Sequence, residues 1–351
     1  MYRRAKILIL LGLIALEMTA CGTEKEAEQN AQTVSAETIQ MHTENIVESV
    51  EMAKESKPDI KTYEVSYKES AVKYEGEAFI KSVFGVGADM LYVCGIDENE
   101  KYFIAGMKQE EKEFNRFDVE VPSNMRMFNM AVDNQGKCHM LWFSIGTEVM
   151  EGREFQTITF EKSYITIINP DGELEETVDV TEVFQEEQYR PYCFGVDLEG
   201  NYYCEKENNI IILDSNGELK TRIMCDGVID GMGCGKSGLL YCTYHDKDGI
   251  DRIGKIEQDA FVDCGVELPT CAAIYSRVTS GSDSEIFIYN LDGGIYTYDS
   301  ESNSVEQRKS AEKLPVQGQD VSGYGFLGDG RLCLLAQNDG EKIFYYIPTG
   351  K

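Results

Sequence analysis

Imidazole is scarce in this chain, and that limits the chemistry open to it. Its three histidines are His42, His139 and His245. A Ser-His-Asp relay needs an imidazole hydrogen-bonded to both its partners. Here His42 lies in a polar segment, His139 in an apolar strand-like run, and His245 beside the turn Asp246-Lys247-Asp248-Gly249. Neither a G-x-S-x-G elbow nor a G-x-x-x-x-G-K-[ST] phosphate loop occurs. Gly231-Met232-Gly233-Cys234-Gly235-Lys236-Ser237-Gly238 imitates the latter, but the spacing is wrong and no helical pattern follows, so it reads as a turn between strands. Cysteines form no C-x-x-C pair and lack histidines at zinc-ligand spacing. Acidic residues are too numerous for any one pair to stand out. No catalytic residue, metal ligand or cofactor is assigned.

Ten cysteines follow Cys21, and five of them (Cys94, Cys138, Cys204, Cys242 and Cys333) sit in apolar runs such as Leu239-Leu240-Tyr241-Cys242. There a thiol acts as a small hydrophobe, so core packing is expected, with disulfide pairing left open.

Recognition is better supplied than catalysis. Tyr189-Arg190-Pro191-Tyr192 precedes an apolar run, and Arg126, Tyr275, Arg277 and Tyr324 occupy comparable places elsewhere. Tyrosine and arginine are the side chains most enriched where partners are gripped. The chain carries 33 Lys+Arg against 62 Asp+Glu, a net charge of −29. Such a polyanion repels nucleic acid and anionic headgroups. Arginines clustered against that background, such as Arg126, Arg190 and Arg277, would form a local positive spot for an acidic group.

The elements that must position these residues begin after an export signal. Tyr2-Arg3-Arg4-Ala5-Lys6 is a basic start, residues 7–16 are apolar, and Met18-Thr19-Ala20-Cys21 ends the segment. The apolar run is too short to span a bilayer as a mature helix, so residues 1–20 read as a cleaved signal peptide. The motif resembles the lipobox of bacterial lipoproteins, which implies that Cys21 is acylated (a palmitate-type anchor) and holds the protein on the extracytoplasmic face of the cell membrane. Residues 21–60 then read as a polar tether. From Gly22 to Ile60 there are nine acids and three lysines, too little apolar surface for a core.

Residues 61–351 change character. Short runs of Val, Ile, Tyr and Phe alternate with Asp/Asn/Gly turns, as in antiparallel all-β proteins. Ala131-Val132-Asp133-Asn134-Gln135-Gly136 matches Gly195-Val196-Asp197-Leu198-Glu199-Gly200, and a second turn type recurs at Asn169-Pro170-Asp171-Gly172 and Asp214-Ser215-Asn216-Gly217. Anchors at Asp89, Gly136, Gly200, Gly238, Ser284 and Gly330 are 47, 64, 38, 46 and 46 residues apart. A period of about 40–50 residues with four short strands is that of a β-propeller blade. The fold expected is all-β, a β-propeller of six four-stranded blades, with seven as the alternative. The long interval is assigned to a loop insertion at residues 144–163. The last blade supplies only three strands, at 321–327, 331–335 and 342–347, so the alternating segment 61–68 is expected to pair with it as the fourth and close the ring.

These features resemble the propeller-bearing, solute-binding-associated lipoproteins of Gram-positive, Clostridia-type bacteria, in which a lipobox, an acidic tether and D-x-x-G-N-Y-Y blades occur together. The matching residues are Cys21 and Asp197-Leu198-Glu199-Gly200-Asn201-Tyr202-Tyr203. Members of that group continue into a solute-binding domain. The present sequence ends at Lys351, and a transport role is not expected of it.

In a propeller, the turns between strands one and two and between three and four emerge on one face. The loops between two and three, and between blades, emerge on the other. The tight glycine turns fall on the first face, and the longer segments 144–163, 245–252 and 185–192 fall on the second, where binding residues ride. The expected function is a surface-anchored, monomeric head that binds a protein, peptide or glycan without catalysis. The rival is a propeller-type polysaccharide hydrolase or lyase using carboxylates at the channel mouth.

Overall fold

The run Asn209-Ile210-Ile211-Ile212-Leu213 is apolar beyond its first residue, which suits a strand only when both faces of its sheet are covered. The computed structural model places it so. Ile210 and Ile212 pack in a cluster with the sheet that follows, Ile211 and Leu213 in a cluster with the sheet before. The same period-two division puts Cys138, Met140 and Trp142 on one side of their strand and Leu141 and Phe143 on the other. The core is therefore a series of sheet-to-sheet interfaces. Cys94, Cys138, Cys204 and Cys242 have no exposed surface within it, as expected of small hydrophobes.

Two units divide the chain, Met1–Ser56 and Lys57–Lys351. The structure describes residues 61–348 except 66–67, 75–77, 85–89, 97–100, 109–114, 121–123, 134, 151–152, 235–237, 270–276, 281–284, 290–294, 311–320, 327–330 and 339–340. The signal peptide, Cys21 and the tether lie outside the described residues.

Strands β1 (Lys61–Val65) and β2 (Lys68–Tyr74) come first. The first sheet holds β3 (Ala78–Phe84), β4 (Met90–Ile96), β5 (Tyr102–Lys108) and β6 (Asn115–Asp118). The second holds β7 (Met125–Val132), β8 (Cys138–Met150), β9 (Arg153–Ile168) and β10 (Leu174–Asp179), followed by the helix α1 (Thr181–Glu187). The third holds β11 (Phe194–Val196), β12 (Tyr202–Lys206), β13 (Asn209–Leu213) and β14 (Leu219–Met224). The fourth holds β15 (Gly227–Cys234), β16 (Leu240–Asp246), β17 (Asp251–Glu257) and β18 (Ala260–Glu267). The fifth holds β19 (Arg277–Ser280), β20 (Glu285–Tyr289), β21 (Ile295–Asp299) and β22 (Ser304–Ser310). The sixth is built on β23 (Val321–Phe326), β24 (Arg331–Asn338) and β25 (Glu341–Pro348). Consecutive strands within each sheet pair antiparallel. Each first strand lies beside the first strand of the next sheet, and β23 returns to β3, so the first strands form a closed ring.

Closure differs in detail from the sequence expectation. Segment 61–68 is not one strand on the last sheet. β1 runs parallel to β22 and adds a fifth strand to the fifth sheet, whereas β2 pairs antiparallel with β25, from Lys68 opposite Tyr346 to Tyr74 opposite Lys342. Both outer strands would otherwise present unpaired backbone groups, and the N-terminal segment covers both edges.

The recurring turns share one construction. The Oδ1 atoms of Asp133, Asn169, Asp197, Asp214 and Asp246 each accept the backbone N–H groups two and four residues on, at 2.8–3.0 Å. This side-chain mimicry of a backbone turn is why the spacing repeats. The third residue after each carboxylate or amide is glycine, and at two of these a side chain is excluded twice over. Gly172 (φ +89°) lies against the Phe117 ring of the first sheet and Gly217 (φ +83°) against Val178 and Val180 of the second, so these turns also act as joints between neighbouring sheets. Two sequence assignments change here. The Asp246 turn is as tight as the others, so 245–252 is no elaborated loop. Gly231 to Cys234 belong to β15 rather than to a turn.

Candidate functional site

Strand direction sorts the chain ends into two faces. First strands begin, second strands end, third strands begin and fourth strands end on the same side. That side carries the residue 144–163 insertion and the segment leading into β11, and we term it the arm face. Insertion 144–163 is not a loop. β8 and β9 continue as a two-stranded hairpin, with Ser144 opposite Thr159 and Met150 opposite Arg153, after a register shift that sets Phe143 opposite Ser163. Its residues Thr157, Ile158 and Thr159 favour extended backbone.

Exposed apolar side chains follow the same asymmetry. Among the described residues seven large hydrophobics are exposed. Val149 and Phe155 on the arm, Tyr192, Met224 at the end of β14 and Val228 at the start of β15 belong to the arm face. Leu174 and Leu198 belong to the opposite, turn face.

Beside the arm, two buried polar side chains hold a surface segment. Asn129, 4% exposed, donates its amide to the carbonyl oxygens of Tyr192 (2.8 Å) and Pro191 (3.4 Å). Glu205, 3% exposed, accepts the Tyr189 hydroxyl (2.8 Å) and the Glu207 N–H (3.0 Å) on one oxygen and the Tyr192 N–H (2.8 Å) on the other. Burial raises the Glu205 pKa, against the opposing pull of these donors. The Tyr189 hydroxyl is pushed up as well, by burial and by the Glu205 carboxylate it serves. The helix before it is fixed too. Burial works to raise the Glu187 pKa, but Lys206 (2.7 Å) and Arg222 Nε (2.7 Å) outweigh it and hold the carboxyl low. Lys206 also donates to the Glu187 carbonyl (3.0 Å), which offsets an acid placed at the unfavourable end of a helix. Gln185 donates to the Glu161 carbonyl at the root of the arm (3.2 Å).

So positioned, Arg190 lies over the Phe128 ring at 4.7 Å and beside the Tyr192 ring at 5.6 Å. Phe128 meets Phe143 edge-on at 5.8 Å, and Phe143 meets both Phe160 (5.7 Å) and Phe184 of α1 (5.0 Å). An aromatic chain thus joins Arg190 to the arm root. Phe128 stands at the register shift between Met127 and Asn129 in β7, the bulge that lets Asn129 reach across to residues 191–192.

The residues singled out from sequence are brought together only in part. Arg190 and Tyr192 form one patch. Arg126 is exposed at the second position of β7 and acts on Tyr102, whose hydroxyl burial raises while the Met127 backbone and Arg126 oppose the rise. Arg277 opens β19, and Tyr324 falls in the middle of β23 rather than at its start; the side chains of both lie outside the described residues. Tyr275 is likewise outside them. Asn129, Glu205 and Phe128 were not marked by sequence, because one amide, one acid and one ring inside strands carry no distinguishing pattern.

The two histidines among the described residues, His139 and His245, are held in place. His139, 4% exposed, lies between Asp133 Oδ2 and the Tyr202 hydroxyl, each at 3.2 Å. It borders a cleft of about 210 Å³ on the turn face, lined also by Lys137, Glu175, Glu176, Asp197 and Glu199. His245 bridges Asp230 (2.7 Å) and Asp251. Burial works to lower its pKa, but the two carboxylates prevail and push it up to about 10, so it is a fixed cation. Among the described residues no group of three or more His, Cys, Asp or Glu is arranged to hold a metal ion.

No family model matches the sequence, and no curated protein matches it. Among solved structures it is similar to the β-propeller domain of Cps50 (Swd1) from Myceliophteria thermophila, with 9% identity, 79% of this chain and 99% of that one covered, and a TM-score of 0.47. It is similar also to the WD40 domain of Toxoplasma gondii coronin (9% identity, 84% and 88% covered, TM-score 0.49) and to a Bacteroides caccae protein of unknown function (14%, 72% and 87%, 0.44). The ring of first strands and the sheet order carry the fold assignment on their own. The chain is an all-β protein of the β-propeller type, built from antiparallel four-stranded sheets.

Proposed function

We propose that this protein is a six-bladed, surface-tethered propeller that binds a protein, peptide or glycan partner through its arm face and catalyses no reaction. One observation carries the reading. Two nearly fully buried polar side chains, Asn129 and Glu205, fix the backbone of a surface segment whose outward side chains are Arg190 and Tyr192. Burying polar groups is unfavourable unless their hydrogen bonds are met. Here they are met by backbone and hydroxyl groups of the displayed segment itself, and rigid display lowers the entropy lost when a partner binds. The concentration of exposed apolar side chains on the same face adds support. A hydrolase reading needs carboxylates free to exchange protons with substrate. Glu205, the carboxylate beneath this patch, already accepts hydrogen bonds on both oxygens.

Anchoring belongs to the same proposal. Acylation of Cys21 after removal of residues 1–20, as in the lipoproteins that the lipobox resembles, would hold the head on the extracytoplasmic side of the membrane at the end of the 21–60 tether. The test of binding is capture of partners from the native cell surface by wild type, by an Arg190→Ala/Tyr192→Ala double variant and by Leu198→Ala on the turn face. The proposal expects loss of a captured partner in the double variant only. Identical capture by all three refutes it.

A further inference from the structure

Arg190 differs from Arg222 and Arg252, the two arginines whose ion pairs are described. Arg222 pairs with Glu186 and Glu187, and Arg252 with Asp246 and Glu267. Arg190 has no carboxylate within ion-pair distance among the described residues, although the chain holds 62 acids. Among the described residues its one polar contact is a 3.4 Å approach to the Tyr192 hydroxyl, the outer limit of a hydrogen bond. The rings of Phe128 and Tyr192 hold the guanidinium by its faces, which leaves edge N–H donors open in the plane where a carboxylate is gripped by two parallel bonds.

A second feature lies at the other end of the same aromatic chain. β7 stops pairing with β8 at Met125 opposite Ser144, and the Ile145 N–H still reaches the Asn124 carbonyl (2.8 Å). From Gly146 to Met150, β8 pairs with β9 alone among the described residues. Its other edge is the line that β7 would follow if it continued, on the inner side of the sheet. An unpaired edge is a template for an added strand.

We propose that the arm face binds an extended peptide segment, added to β8 along residues 146–150, with one carboxylate of that segment held by Arg190. The proposal rests on the binding-face reading above and names the partner's chemistry. A single aspartate or glutamate side chain, or a chain terminus, satisfies one guanidinium fork. A polyanion such as a nucleic acid or a uronate polymer meets the same fork but also the field of a chain at −29, which opposes it. Exposed Val149 lies on one face of the hairpin and exposed Phe155, opposite Glu148, on the other, so apolar contact is offered to each of the two faces of an extended ligand.

The test uses the full chain on an array of immobilised ten-residue peptides of varied sequence. Binders are then remade with the acid changed to its amide, or with backbone N-methyl groups at alternate positions. The protein is compared as wild type, Arg190→Lys and Arg190→Gln, with the urea midpoint of each confirming an intact fold. The proposal expects binders that share an acid at one position. It expects an affinity loss of about tenfold or more on Arg190→Gln, with a smaller loss for lysine. Replacing the peptide's acid should weaken wild type by a similar factor but leave the Gln variant unchanged. N-methylation on the pairing edge should abolish binding. An array without binders, binders indifferent to Arg190, or displacement by polygalacturonate in preference to the peptides overturns it. If capture of the native partner depends on Tyr192 but not on Arg190→Gln, the binding face stands and the carboxylate proposal falls.

Discussion

Replacing Glu205 by alanine removes the acceptor of three hydrogen bonds at once, from the Tyr189 hydroxyl and from the N–H groups of Tyr192 and Glu207. A buried donor left without a partner costs about 1–3 kcal/mol. Tyr189 can turn its hydroxyl toward water, so the two backbone donors dominate. Against this, wild type keeps a carboxyl in a poorly solvated place, where burial raises its pKa. The net destabilisation of Glu205→Ala should therefore be about 2–4 kcal/mol at pH 7. Glu205→Gln keeps an oxygen for Tyr189 and Glu207, sets an amide N–H against the Tyr192 N–H and removes the charge, for a loss of about 0–2 kcal/mol. A carboxyl whose folded pKa is raised binds its proton more tightly folded than unfolded. Its contribution is fully present below the unfolded pKa and is lost as pH rises through the folded one. The gap between wild type and the alanine variant should then widen as pH falls toward the ordinary carboxylate range. Trp142, the one tryptophan, is 2% exposed and bonded to Thr166 (2.8 Å), so urea unfolding followed by its emission reads the transition. An alanine midpoint equal to wild type, or a gap that narrows on acidification, refutes the reasoning.

Three further outcomes follow from the same geometry. Gly172→Ala and Gly217→Ala should each lose more stability than Gly200→Ala in urea, because all three have positive φ but a Cβ at Gly200 meets only ordinary contact with Ser215; equal losses would remove the joint role of the turns. His245, held near pKa 10 by Asp230 and Asp251, contributes stability that is complete below about pH 6.5 and lost as pH rises toward 10. His245→Gln should flatten that decline, on the order of 2 kcal/mol for a side chain 28% exposed, and parallel wild-type and variant curves from pH 6 to 9.5 would contradict it. Cys21→Ala should shed or mislocalise the protein; a variant that stays membrane-bound, with wild type unmodified and its residues 1–20 intact, would remove the anchor.

The blade period was legible because its physics is local. An Asp Oδ1 that takes the N–H groups at two and four residues on, with glycine at three, leaves a sequence signature wherever it occurs, and Asp133, Asp197 and Asp214 all carry it. Closure by the N-terminus was legible in kind but not in detail. Residues 61–68 alternate, but which edge each part of the N-terminal segment meets depends on β22 and β25, far along the chain. The arm was placed correctly but read as a loop, although Thr157-Ile158-Thr159-Phe160 has the composition of a strand. Helix α1 also went unread, though Val180, Val183 and Phe184 have helical spacing and bury together. Of the site, half-buried Arg190 and exposed Tyr192 could be named from residue type. Asn129 and Glu205 could not, since what distinguishes them is burial against a segment whose Tyr192 lies 63 residues from the one and 13 from the other.

The central claim is that the partner sits on the arm face. A photoreactive amino acid placed at Tyr192, at Val149 or at Leu198, followed by irradiation on intact cells, tests it directly. Positions 192 and 149 share the arm face, and 198 lies in a turn on the other. The account predicts one common adduct from positions 192 and 149 and none from 198. An adduct confined to 198, or equal yields from all three, contradicts it.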